Sequence, residues 1–154
     1  LGGASGGYVS AHQEIVDLLR QRSRPYLFSN SVAPAVVAGS LKALELVSTS
    51  SQARETLQRN ASLFRTLMSE AGFDLLPGSH PIIPVMFPGE GGARTAAAVA
   101  DHMLVDSGVY VIAFSFPVVP KGRARIRVQL SAAHSEDDVR QCVDAFVSAR
   151  AVVT

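Results

Sequence analysis

The chain has 154 residues, 14 Lys and Arg against 13 Asp and Glu for a formal charge of +1, and a hydrophobic fraction of 47%. That length and apolar content can build one small domain and exclude a disordered chain, while the near-neutral total weighs against a dedicated nucleic-acid or membrane-surface protein. The single cysteine, Cys142, excludes an internal disulfide and a multi-cysteine zinc site, so a reducing compartment fits and secretion does not.

The opening segment LGGASGGY carries Gly2, Gly3, Gly6 and Gly7 and resembles neither a signal peptide nor an initiator segment, so the chain reads as starting inside a longer one. From His12 to Arg22, Ile15, Val16, Leu18 and Leu19 recur at helical spacing. SRPYLFSNSVAP is expected to interrupt regular structure, with Ser29, Asn30 and Ser31 free to cap a helix or to bind a ligand oxygen. Val37, Leu41 and Leu44 predict a helix from Pro34 to Val47, entered at Asn30 to Ala33. Leu57, Phe64, Leu67 and Met68 predict another over 51–71, stopped by Gly72.

Phe73 to Leu76 and Ile82 to Phe87 read as short strands about the turn PGSHP. The PGEGG loop leads to an alanine-rich helix ended by Gly108, and a β-branched strand is expected over Val109 to Ala113. Proline and glycine make Phe116 to Gly122 irregular. RARIRVQL then alternates strictly, with Ile126, Val128 and Leu130 on one face and Arg125, Arg127 and Gln129 on the other. Ser135 followed by Glu136, Asp137 and Asp138 marks a helix start, and Val139, Cys142, Val143 and Phe146 form the stripe of the last helix.

His12, His80, His102 and His134 lie in separate elements without metal-ligand spacing, and the glycine cluster lacks the Lys-Ser or Lys-Thr pair of a phosphate-binding loop. Cys142 sits on an apolar stripe and reads as core, not nucleophile. Lys121, Arg123, Arg125 and Arg127 give a local run of positive charge. A nucleic-acid site is disfavoured by the following acids and by the lack of interleaved aromatics. Spacing alone leaves two readings open: a solvated strand face, or an anion site in which the Arg127 fork grips a carboxylate.

LGGASGGY, RPYLFSNSVAP and FPVVPKGRARIRVQLSAAH together resemble the carboxy-terminal part of the α-oxoamine synthases, pyridoxal-phosphate enzymes of the aspartate-aminotransferase fold type. The resemblance runs from Leu1 to the last helix. It implies an α+β fold: a small carboxy-terminal domain of a fold-type I enzyme over residues 37–154, mostly antiparallel sheet with helices on one face, preceded at 1–36 by the tail of the large cofactor-binding domain. The activity implied is acyl transfer, condensing glycine with acetyl-coenzyme A to 2-amino-3-ketobutyrate and coenzyme A, with the reverse direction serving threonine breakdown. Synthases of the 8-amino-7-oxononanoate or 5-aminolevulinate type are the neighbouring alternative, and a non-catalytic basic-strand binding module is the distant one.

The same resemblance implies pyridoxal 5'-phosphate as cofactor, a homodimer with a shared active site, no metal, nucleic acid or membrane partner, and a bacterial cytoplasmic or mitochondrial location. Arg127 matches the arginine that binds the amino-acid carboxylate. Ser29 and Asn30 match the pair that reaches the partner subunit's cofactor phosphate. LGGASGGY matches the glycine-rich segment after the cofactor lysine, and the family pattern Lys-Ala-Leu-Gly-Gly implies a Schiff-base lysine two residues before Leu1; neither Lys42 nor Lys121 is a plausible replacement, so no catalytic residue is assigned and this chain alone is expected to be inactive.

Overall fold

The computed structural model describes residues 4–153; Leu1, Gly2 and Gly3 of the glycine-rich segment lie outside the described residues. The chain divides between Ser51 and Gln52 into two compact units.

Unit 1 holds three helices: α1 (Gln13–Arg22), α2 (Arg24–Leu27) and α3 (Pro34–Thr49). In α1, Glu14 lies in the first turn and Arg20 and Arg22 in the last, each at the end of the helix dipole that favours its charge. α2 lies in a segment expected to be irregular. Pro25 is tolerated there because the first helical turn needs no N–H from it, and the Leu27 and Phe28 amides close the turn on Ser23 O and Arg24 O at 3.0 and 3.2 Å. α3 starts on Pro34 behind Ala33, whose side chain cannot cap, so Ser29, Asn30 and Ser31 do not serve as its cap. No described residue of this unit is buried, and Tyr8, Leu18, Tyr26, Phe28 and Leu41 are all exposed.

Unit 2 follows the order α4 (Gln52–Glu70), β1 (Ile82–Pro88), α5 (Gly92–Ser107), β2 (Ile112–Phe114), β3 (Arg123–Gln129) and α6 (Glu136–Val153). The three strands form an antiparallel sheet ordered β1-β3-β2, with Pro84 and Ile112 both opposite Arg127. α5 packs on all three strands, and α6 packs on α5 and α4, which leaves the other sheet face open within this unit. The alternation expected for β3 holds: Ala124, Ile126, Val128 and Leu130 are buried, whereas Arg123, Arg127 and Gln129 are exposed and Arg125 is half-buried.

Phe64, Met68, Ile83, Val85, Val99, Met103, Ile126, Val139 and Phe146 fill the core, each with under 2% of its surface accessible. Phe146 meets the edges of Phe64 and Phe73 at centroid distances of 6.4 and 5.6 Å. This geometry contributes beyond the area the rings bury. Gly108 adopts φ 66°, and the Val109 amide turns back to Met103 O at 3.0 Å to close α5. That bond consumes the first residue expected in a strand, so pairing with β3 begins only at Ile112.

The expected strand over Phe73 to Leu76 shrinks to a bridge between Leu75 and Val85. The Leu76 amide donates to Pro84 O and the Met86 amide to Asp74 O, but Pro84 has no N–H to return and Pro77 leads the chain away.

Candidate functional site

β3 is the central strand, so its residues are fixed from both sides by ladder hydrogen bonds, and Arg127 leaves this rigid base on the open face. Its guanidinium carbon lies 4.7 Å from the centroid of the Phe114 ring, carried by the adjacent strand. The ring restrains the fork by cation–π stacking, which an ammonium reproduces less well. Pro84 and Ile112 flank it across the ladder. Among the described residues no carboxylate pairs with Arg127.

A cleft of about 480 Å³ opens beside it, lined by Tyr110, Ile112, Arg127, Gln129, His134 and Cys142 among others. Burial pushes the Cys142 thiol up to about 12, which keeps it protonated near neutral pH and unfit as a nucleophile. Sequence reasoning did not find Phe114, because its position beside Arg127 follows from strand register and leaves no local signal.

The far end of β3 is held by a polar brace. Asn60, the one buried polar residue among those described, donates its carboxamide hydrogens to Ser131 O at 3.1 Å and His134 O at 2.9 Å. His134 Nδ1 accepts the Ser131 amide at 3.2 Å, so the SAAH turn is tied from within and from α4. α6 starts as its sequence requires: Ser135 Oγ accepts the Asp138 amide at 3.1 Å while Asp138 Oδ2 accepts the Ser135 amide at 2.7 Å and its hydroxyl at 2.8 Å. Those two bonds from Ser135 hold the Asp138 carboxyl below its ordinary value.

Ser29 and Asn30 belong to unit 1, in the turn between α2 and α3. The Asn30 amide is spent on Pro25 O at 3.1 Å, while neither side chain has a hydrogen-bond partner among the described residues. Asn30 lines a cleft of about 480 Å³ together with Gly7, Tyr8, Arg20 and Ser31. The glycine-rich segment approaches the same turn, since a Cβ on Gly6 would lie 3.2 Å from Val32 Cγ1. A hydroxyl, a carboxamide and a guanidinium without internal acceptors are a donor set suited to phosphate or carboxylate oxygens.

The two lysines sit elsewhere. Lys42 Nζ is 2.7 Å from Glu45 on the exposed face of α3, and Lys121 Nζ lies 5.2 Å over the exposed Phe116 ring. Neither is set in the desolvated pocket that activates a lysine for covalent chemistry. Among the described residues no cluster of three or more His, Cys, Asp or Glu could hold a metal ion, and no helix is long and apolar enough to cross a membrane.

Residues 2–146 match the family model described as aminotransferase class I and II. The chain is 54% identical over 147 residues to the mitochondrial 2-amino-3-ketobutyrate coenzyme A ligase of Homo sapiens, a match that covers 96% of this chain and 34% of the relative. It is 55% identical over 146 residues to the 2-amino-3-ketobutyrate coenzyme A ligase of Escherichia coli (strain K12), covering 95% of this chain and 36% of the relative. Among solved structures, a serine palmitoyltransferase of Sphingomonas wittichii superposes with a TM-score of 0.83 at 28% identity, over 94% of this chain and 36% of that one. The chain thus spans about a third of the length of the proteins it matches.

Proposed function

The chain belongs to the class I and II aminotransferase family, and on that premise we propose that it is the carboxy-terminal third of an α-oxoamine synthase that condenses glycine with acetyl-coenzyme A. The product is 2-amino-3-ketobutyrate with release of coenzyme A, and the reverse cleavage belongs to threonine breakdown. The observation that carries the reading is Arg127: a fork on the central strand, stacked on Phe114 and unpaired with any carboxylate among the described residues. The relatives named above support this choice of amino acid and acyl donor.

The uncommitted donors of Ser29 and Asn30 fit an oxyanion, and on this reading they hold the phosphate of pyridoxal 5'-phosphate bound to the partner subunit of a homodimer. The exposed Tyr26, Leu27 and Phe28 beside them are the apolar surface such a dimer covers. The cofactor, when bound, supplies an electron sink for the pair left at the glycine Cα as its proton departs. Arg127 grips both carboxylate oxygens of glycine with parallel N–H donors and fixes the rotation of the amino acid about its Cα. Phe114 keeps the fork in place before substrate arrives.

The chain carries substrate-positioning and phosphate-binding residues and no lysine suited to hold the cofactor covalently, so by itself it is inactive on this reading. On this reading residues 1–36 are the tail of the large cofactor-binding domain and lead through α3 into the small carboxy-terminal domain, whose compact body starts at Gln52, in a cytoplasmic bacterial or a mitochondrial enzyme. The reading is tested by offering the complete enzyme paired substrates: glycine with acetyl-coenzyme A, glycine with succinyl-coenzyme A, and alanine with pimeloyl-coenzyme A. Fast thiol release only with the first pair supports it. Preference for the second or third pair assigns the chain to a 5-aminolevulinate or 8-amino-7-oxononanoate synthase instead.

A further inference from the structure

The open face of the sheet carries more positive charge than one amino-acid carboxylate requires. Arg123, Arg125 and Arg127 alternate with buried Ala124 and Ile126 along β3, so they leave the same face with a spacing of about 6.6 Å. Lys121 precedes them across the turn at Gly122, which adopts φ 72°. No ion pair engages any of these four cations among the described residues. Arg125 turns its Nε to Arg123 O at 3.3 Å, and Lys121 lies over the ring of Phe116, which is 60% exposed. At the start of the strand a cleft of about 340 Å³ is lined by Phe116, Lys121 and Gly122 together with Ala93 and Ala124 on the α5 side, with Glu90 its single acid; Arg123 follows at its edge and does not line it.

We propose that Lys121, Arg123 and the Phe116 ring seat the nucleotide end of coenzyme A, an adenosine bearing a 3'-phosphate and a 5'-diphosphate. The proposal rests on the acyl-coenzyme A reading given above and names a subsite for that substrate. The 3'-phosphate and the 5'-diphosphate of one ribose call for two cations several ångströms apart, which Lys121 and Arg123 supply from positions two residues apart, one in the entry loop and one on the strand. The adenine presents a π-face, and an exposed aromatic ring beside cations is the platform that such a face stacks on. Arg123 lies roughly 13 Å from Arg127 along the strand. An extended acyl carrier can therefore be anchored at Arg123 while its thioester end reaches the amino acid held at Arg127. The residues between, Met86 and Phe114 opposite Arg125, are apolar and suit the uncharged arm that joins nucleotide to thiol. One exposed ring with one acid at its side fits a single nucleotide, not a polynucleotide strand.

The test uses the complete enzyme with three variants: Lys121→Gln, Arg123→Gln and the double change, alongside Arg140→Gln as an exposed control on α6. Coenzyme A and 3'-dephospho-coenzyme A are titrated calorimetrically, the KM values for acetyl-coenzyme A and glycine are measured, and circular dichroism checks the fold. Each single change is expected to weaken coenzyme A about tenfold and to raise the acetyl-coenzyme A KM in parallel, with the glycine KM unmoved. The preference of the wild type for coenzyme A over its 3'-dephospho form should collapse in the double variant. A double variant that binds coenzyme A as tightly as wild type, in an enzyme that turns over glycine and acetyl-coenzyme A, overturns the subsite and leaves the parent reading standing. A wild type that neither binds coenzyme A nor releases it from acetyl-coenzyme A overturns both. Loss of oligothymidylate binding in the double variant with coenzyme A affinity intact overturns the subsite in favour of a nucleic-acid surface.

Discussion

Replacing Arg127 with Lys in the complete enzyme keeps the charge and removes the fork. A charge-assisted hydrogen bond contributes about 1.5–3 kcal/mol, and the bidentate grip contains two. Lysine can keep one, pointing from a longer and more mobile stem, and it loses the guanidinium stacking on Phe114, which lies 4.7 Å away. The loss of one bond converts to a drop of roughly 10- to 150-fold in kcat/KM for glycine. Steady-state kinetics with glycine varied at saturating acetyl-coenzyme A measure this, and the KM for acetyl-coenzyme A serves as internal control. Arg127 is exposed and makes no ion pair among the described residues, so thermal unfolding should change little. A lysine variant that holds glycine kcat/KM within about threefold of wild type refutes the bidentate role, since a point charge would then suffice.

Other consequences are structural. Asn60→Ala removes the donors to two part-buried carbonyls, those of Ser131 and His134, and should cost about 1–3 kcal/mol in urea unfolding; a cost under about 0.5 kcal/mol would mean that water replaces the carboxamide freely. Gly92→Ala places a Cβ 1.9 Å from Phe87 O, which forces β1 and α5 apart, whereas Gly91→Ala meets nothing within 4 Å, so melting should fall steeply for the first and barely for the second. Asp138 is held below its ordinary value by Ser135, so the stability it supplies is present above the unfolded carboxylate range near pH 4 and lost as pH falls through the lower folded value. Asp138→Asn should flatten that acid limb, and an unchanged pH profile of melting would contradict it.

The sequence made β3 readable because strict alternation has one structural meaning when one face is buried. Ser135 with its acids, and Gly108 after an apolar run, marked helix ends by backbone chemistry that acts within a few residues. What escaped depends on distant partners. Phe73 to Leu76 has strand composition, yet its would-be neighbour offers Pro84 where a donor is needed. Asn60 sits three residues after Leu57 and four before Phe64, which places it on the stripe of α4, but nothing local says that Ser131 O and His134 O wait there. For Arg127 the residues alone left a solvated face and an anion site equally open. The unpaired guanidinium and the Phe114 ring favour the second.

The central claim is that Arg127 anchors the carboxylate of glycine. A crystal structure of the complete enzyme soaked with glycine tests it most directly: both carboxylate oxygens should lie about 2.7–2.9 Å from the Arg127 guanidinium nitrogens. A glycine carboxylate bound by other side chains, with Arg127 turned to solvent, would contradict it.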